Sequence, residues 1–294
     1  MLPPYPHQKI SFNASDGYQL QGALYTAADS KRFIIVGSAF GVPYQYYKHI
    51  ADFFRDNGIN VLLFDYRGIS HSKKGSMPTL EILMQHWGQL DVEAAIVWVS
   101  NQFAPEKLYY LGHSAGGQIL GLAPSSPRVN KVIIAASGIA SWREWPGMQK
   151  LLLAAVWYLI FPVAKLFQSG DYFHSKFLGP IPVPKNAVNQ WLSWARSEEY
   201  LFTAKHQLDL SAYPKIQAEI LGLSISDDWY APYQARDGLL KQYVACDKQT
   251  RVIKPKDLGL KAIGHFGLFK KKQEIQDGIW QPMLNFLNGT NDER

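Results

Sequence analysis

Gly112-His113-Ser114-Ala115-Gly116-Gly117 decides how this chain is read, because of what stands on either side of it. Before it runs Lys107 to Gly112 (KLYYLG), an apolar stretch of strand length; after it, Ala115 to Leu122 reads as a short helix. Glycines flanking a serine between strand and helix permit a sharp turn without Cβ clashes. Such a turn lifts the Ser114 hydroxyl over the carboxyl ends of parallel strands, where open α/β sheets bind their substrates. The helix behind it contributes a dipole that favours negative charge. Ser114 is the expected nucleophile. The G-x-G-x-x-G spacing is absent and no Walker lysine follows, so a nucleotide site is not expected.

Outward from this turn, strand and helix patterns alternate. Lys9 to Phe12 and Tyr18 to Tyr25, either side of Ser15-Asp16-Gly17, read as an N-terminal hairpin. Phe33 to Gly37, Asn60 to Tyr66 and Lys131 to Ala136 are apolar runs of the kind buried on both faces of a sheet. Tyr44 to Asp56, which stops at Asn57-Gly58, and Leu90 to Phe103 carry helical spacing. The pattern implies right-handed crossovers and an α/β fold with a mostly parallel, doubly wound sheet. Between Ser141 and about Tyr213 the rhythm breaks into tryptophans, apolar helical stretches and the Pro-rich Gly179 to Pro184. Strand signals resume at Ala218 to Ser224 and near Thr250 to Ile253. The expected organisation is one sheet domain, residues 1–140 and 214–294, with a helical cap at 141–213 inserted after the fourth parallel strand.

A serine needs a base, and in this architecture the chain order is serine, acid, histidine. His206, beside Lys205, reads as a surface residue of the insertion. His265, in Ala262-Ile263-Gly264-His265-Phe266-Gly267, follows the last strand and should reach the same sheet edge as Ser114. His113 is expected to pack away from the serine. The acid should end the strand Ala218 to Ser224, where Asp227 and Asp228 stand. Asp228, four residues before Pro232, is preferred; Asp227 reads as a solvated or helix-capping neighbour. A tetrahedral oxyanion needs two backbone N–H donors. Ala115 should supply one and Phe40, in the loop Ser38 to Pro43, the other, with Gly41 as the alternative. In Asp65-Tyr66-Arg67-Gly68, Arg67 is expected to bond loop carbonyls.

Of the 294 residues, 47% are hydrophobic and 18% charged, which excludes intrinsic disorder and supplies a large core. Five of the 9 tryptophans fall in 141–213. They read as an apolar roof over Ser114, with Trp142, Trp145 and Trp157 as the expected pocket. Leu151 to Phe161 is an 11-residue apolar run ended by Pro162, short of the roughly 20 needed to span a bilayer. A buried helix is the first expectation for it, a transient lipid-surface contact through the cap the second; no transmembrane span is expected. The net charge of +6 is modest, and Lys270-Lys271-Lys272 reads as a solvated face rather than a nucleic-acid footprint. Cys246 stands alone, so neither a disulfide nor a cysteine metal cluster is expected. With no signal-peptide pattern in Met1 to His7, a cytoplasmic setting is the expectation. The polar tail Asn288 to Arg294 should fray.

At these residues the sequence resembles the serine hydrolases of the α/β-hydrolase superfamily. Gly112 to Gly117 resembles their nucleophile elbow, and Asp65 to Ser72 their D-x-R-G-x-G-x-S stretch, with Ser70 for the second glycine. Gly41-Val42-Pro43, Gly112-His113-Ser114 with Gly121-Leu122, Ser141 to Pro146 and Gly264 to Gly267 are similar to a group of bacterial α/β-hydrolases of unknown substrate. The resemblance covers most of the chain, the insertion included. It implies a Ser114–Asp228–His265 triad and cofactor-free, metal-free hydrolysis of a small-molecule acyl substrate. A carboxylic esterase is the leading expectation. A serine aminopeptidase (with Glu144, Glu198 or Glu199 holding an amine), an acyltransferase, and a non-catalytic binding protein on the same fold are the alternatives. Dehalogenase or epoxide-hydrolase chemistry would need an aspartate at position 114.

Overall fold

The computed structural model describes residues 7–73, 77–175 and 178–290; Met1 to Pro6, in the stretch expected to lack a signal-peptide pattern, and the last four residues, most of the tail expected to fray, lie outside these. β1 (Gln8–Asn13) and β2 (Gln19–Tyr25) form the antiparallel hairpin, and β2 also pairs antiparallel with β4 (Asn60–Phe64). From β4 onward the neighbours are parallel: β3 (Arg32–Gly37), β5 (Lys107–His113), β6 (Lys131–Ala135), β9 (Glu219–Ile225) and β10 (Asp247–Ile253). The expected α/β-hydrolase fold is present, as an eight-stranded mixed sheet.

The central strands are continuous apolar runs because both of their faces are covered. Ile35, Leu62, Tyr110 and Ile134 point into one buried cluster, while Ile34, Val61, Leu111 and Ile133 point into the other. The alternation along each strand therefore divides side chains between two cores rather than between core and solvent.

The chain leaves the sheet after β6 and returns at β9, which pairs directly with β6 from Lys131 opposite Glu219. The excursion carries a helix, Gln149–Leu166, a minimal antiparallel ribbon of β7 (Tyr172–Phe173) and β8 (Val183–Pro184), and a second helix, Lys185–Arg196. Trp145, Leu153, Trp157 and Trp194 join the same buried cluster as Tyr110 and Ile134 of the sheet.

Four local readings need correction. No strand was expected in the excursion, yet β7 and β8 pair; two residues each, one a proline, leave no periodic signal. The apolar run does not stop at Pro162 but continues helically to Leu166. A wide turn at Val156–Ile160 ends two residues before the proline, and such bulges accommodate what a regular α-turn excludes. Ala115 to Leu122 is broken: an α-turn at Ala115–Gln118 is followed by a tighter one at Leu120–Leu122. Arg67 bonds carboxylates rather than loop carbonyls, reaching Asp91 at 2.7 Å and Asp16 at 2.6 Å.

Among the described residues, Gln149–Leu166 is the one helix long and apolar enough to cross a membrane, by length and composition. Its Leu153, Trp157 and Phe161 are buried in the core, which lays it along the fold.

Candidate active site

Ser114 sits where β5 ends, its N–H still donating to the Ala135 carbonyl of β6 (3.1 Å). Its backbone has φ 51° and ψ −118°, a conformation L-residues avoid at a cost of about 1–3 kcal/mol. The neighbouring glycines show what holds it there. A Cβ on Gly116 would lie 2.1 Å from the Gly37 carbonyl oxygen, and one on Gly112 would lie 2.5 Å from the Gly117 Cα. Only glycine lets the turn close this tightly against β3. Ser137 Oγ donates to the Ser114 carbonyl at 2.6 Å and fixes the turn from the β6 side.

The structure brings together the three side chains read from chain order. Ser114 Oγ lies 2.8 Å from His265 Nε2, and His265 Nδ1 lies 2.8 Å from Asp228 Oδ2. Asp228 is buried, and its other oxygen accepts the Tyr230 N–H (2.7 Å) and the Ala231 N–H (3.3 Å). That leaves the carboxylate one orientation, facing the imidazole. A carboxylate on Nδ1 sets the tautomer that carries the proton there and leaves Nε2 as acceptor toward the serine.

Asp227 takes both of its expected roles, whereas His113 exceeds its own. Asp227 is exposed, as expected of a solvated neighbour. It also accepts the N–H groups of Ile263 and Gly264, both at 3.0 Å, capping the short helix that carries His265. His113 does not merely pack. Wholly buried, it accepts from the Tyr47 hydroxyl at Nδ1 (2.8 Å) and donates from Nε2 to the His265 carbonyl (3.0 Å). Tyr47 in turn accepts the Ala39 N–H (2.8 Å), so one chain of bonds ties the loop after β3 to the histidine loop. Burial, reinforced by nearby His265, holds the His113 imidazole well below its usual pKa range, which keeps it neutral for these roles. Tyr46 adds a bond to the Phe266 carbonyl (2.6 Å). None of these partners is within local sequence reach of His265.

A cavity of about 540 Å³, open mouth included, lies over Ser114 and His265. Trp145 and Trp157 line it as expected; Trp142 does not, and lies half-buried with Arg143 over its ring at 4.6 Å. Trp191 and Trp229 take part instead, with Leu153, Phe40 and Ala39. Trp145 Nε1 is anchored on the Trp229 carbonyl (2.8 Å) and Trp157 Nε1 on the Ala140 carbonyl (3.1 Å), so the rings present apolar surface to the cavity. Gln118 supplies polar lining, its amide held between the Gly138 carbonyl (2.6 Å) and the Tyr200 hydroxyl (2.7 Å). Among the described residues no carboxylate lines this cavity, and no group of three or more His, Cys, Asp or Glu is placed to hold a metal ion.

The fold and this juxtaposition define a class of protein. Residues 31–201, more than half of the chain, match the family model described as alpha/beta hydrolase fold, and the chain belongs to that family. Among curated proteins no sequence matches it. Solved structures share the fold at low identity. The alpha/beta hydrolase GrgF from Penicillium sp. sh18 is 21% identical with a TM-score of 0.62, covering 97% of this chain and 99% of its own. An esterase from Pyrococcus furiosus is 14% identical with a TM-score of 0.61, covering 97% and 91% respectively. The esterase EaEST from Exiguobacterium antarcticum is 16% identical with a TM-score of 0.61, covering 96% and 100%.

Proposed function

We propose that the protein is a serine hydrolase that cleaves carboxylic esters with an apolar acyl group, through an acyl-enzyme on Ser114. One observation carries the reading: the Ser114–His265–Asp228 chain, with both contacts at 2.8 Å, opens into an aromatic-lined cavity. Ser114 Oγ attacks the acyl carbonyl as His265 Nε2 takes its proton, and Asp228 stabilises the imidazolium that forms. The oxyanion is received by the backbone N–H groups of Ala115, directly after the nucleophile, and Phe40, in the loop after β3. Phe40 lines the cavity whereas Gly41 faces Val183 and Ile181, which favours Phe40 as the second donor. His265 then protonates the leaving alkoxide. A water deprotonated by the same nitrogen releases the acid and restores Ser114.

In this reading, residues 141–213 are a cap over a core of 1–140 and 214–294, and the substrate is a small molecule. The motif likeness to bacterial hydrolases of unknown substrate leaves the acyl chain to be found by a screen of chain lengths. The carboxylate-free lining favours an ester over the free amine an aminopeptidase would hold; Glu144, Glu198 and Glu199 all stand outside it.

Ser114→Ala should lower p-nitrophenyl butyrate turnover by about 10⁴-fold or more without changing the fold. A fluorophosphonate should label the parent at Ser114. Parent-like turnover in the variant would remove Ser114 as nucleophile. A parent that neither turns over esters nor takes the label would point instead to a binding protein on this fold.

A further inference from the structure

Between Lys150 and Lys165 the helix Gln149–Leu166 is apolar all round, yet only one side of it is covered. Leu153 and Trp157 face inward and line the cavity over Ser114. Helices without a polar face belong in a protein interior or at a lipid boundary. Here the outer face stays open: Leu152 is 55%, Leu159 62%, Leu166 82% and Phe167 84% exposed. The first three recur seven residues apart, along one stripe of the helix. Among the described residues, nine of the fourteen exposed large hydrophobics lie between Met148 and Phe167. The exposed apolar surface is therefore concentrated in one patch, which in soluble proteins marks an interaction site.

The charges around the patch say what fits it. From Trp145 to Gly170 the chain carries Lys150 and Lys165 and no Asp or Glu; Glu144 and Asp171 stand just outside the two ends of this stretch. Lys165 lies near enough to Arg196 and Lys185 for their charges to bear on it. Lys185 is tethered to the Gln168 carbonyl (2.7 Å), and Arg196 to the Trp157 carbonyl (2.9 Å), over the Tyr158 ring. Cations thus border an exposed apolar stripe with Tyr158 and Phe167 beside them. An apolar face with cationic flanks and aromatic edges suits the headgroup–acyl boundary of an anionic bilayer.

We propose that the outer face of Gln149–Leu166 docks on the surface of an anionic phospholipid bilayer, the helix lying in the membrane plane. It does not cross the bilayer, because Leu153, Trp157 and Phe161 are committed to the protein core. The opposite faces of one helix would then touch lipid and line the cavity. Docking does not depend on the ester-hydrolase reading.

The test is vesicle flotation of the full chain with phosphatidylcholine vesicles, with and without 30% phosphatidylglycerol. The parent should float with the anionic vesicles and much less with the neutral ones. The Leu159→Glu/Leu166→Glu/Phe167→Glu variant should lose about tenfold or more in partitioning while keeping parent-like melting and parent-like turnover of soluble p-nitrophenyl butyrate. Phe167→Glu alone, at the most exposed position, should move the same way. Ser114→Ala should float like the parent, so this proposal and the catalytic one fail separately. Absence of flotation, equal flotation on both vesicle types, or undiminished flotation of the triple variant would each overturn it. So would a parent dimer that the triple variant dissociates, which would assign the face to a second copy.

Discussion

Held between the Tyr47 hydroxyl and the His265 carbonyl, His113 can accept at Nδ1 and donate at Nε2 only while it is neutral. Burial lowers its pKa in the fold, whereas in the unfolded chain it titrates near 6.5. The unfolded state therefore binds the extra proton first. Its share of stability is fully present above about pH 6.5 and is lost as the pH falls below that, by up to about 1.4 kcal/mol per unit. Urea unfolding at pH 7 and pH 5 should show this loss in the parent. His113→Gln should be less stable at pH 7 and should lose less between the two pH values; an unchanged difference would remove His113 as its source. His113 also marks where residue-level reading stops. Ser114 and Asp228 were legible because each stands just past a strand end, and His265 because it follows the last strand in a fixed chain order. The bonds from His113 to His265, and from Asp227 to Gly264, join segments about 150 and 37 residues apart. No local pattern announces them.

Between whole elements, the buried Arg67 ties the hairpin turn at Asp16 to Asp91 on the helical stretch 84–103. Arg67 and Asp91 are fully buried, and the Arg67 N–H also donates to Asp91 (2.8 Å). Removing the cation alone would strand a buried carboxylate. Arg67→Met should cost about 3–5 kcal/mol in urea unfolding, and adding Asp91→Leu should recover much of that loss. A cost under about 1 kcal/mol would mean that water reaches Asp91 in the variant. The elements themselves were largely readable, since β3, β4, β5 and β6 are apolar runs bounded by Gly, Asn or charge. What escaped reading came from packing. Pro162 looks like a stop, yet the wide turn at Val156–Ile160 lets the helix run on. β7 and β8 exist only because they meet each other.

Across the whole molecule, composition showed where the aromatics fall but not how far their packing extends. Five of the 9 tryptophans stand in 141–213, which reads as a separate roof. Yet Trp145, Trp157 and Trp194 lie in the same buried cluster as Tyr110 and Ile134 of the sheet. Trp157 is additionally tied to the Ala140 carbonyl just beyond β6, and Trp145 to the Trp229 carbonyl beyond β9. A segment that shares its core with the sheet cannot lose its packing while the sheet keeps its own. The chain should therefore unfold as one cooperative unit, despite a length at which separate domains are common. Tryptophan fluorescence, weighted toward 141–213, and far-UV circular dichroism should give coincident urea midpoints. Trp157→Ala should lower both together, by a stability loss of about 3–5 kcal/mol, because it opens a cavity in the shared cluster. A fluorescence transition that precedes the dichroism transition, or one that Trp157→Ala shifts alone, would show that 141–213 is an independently melting layer.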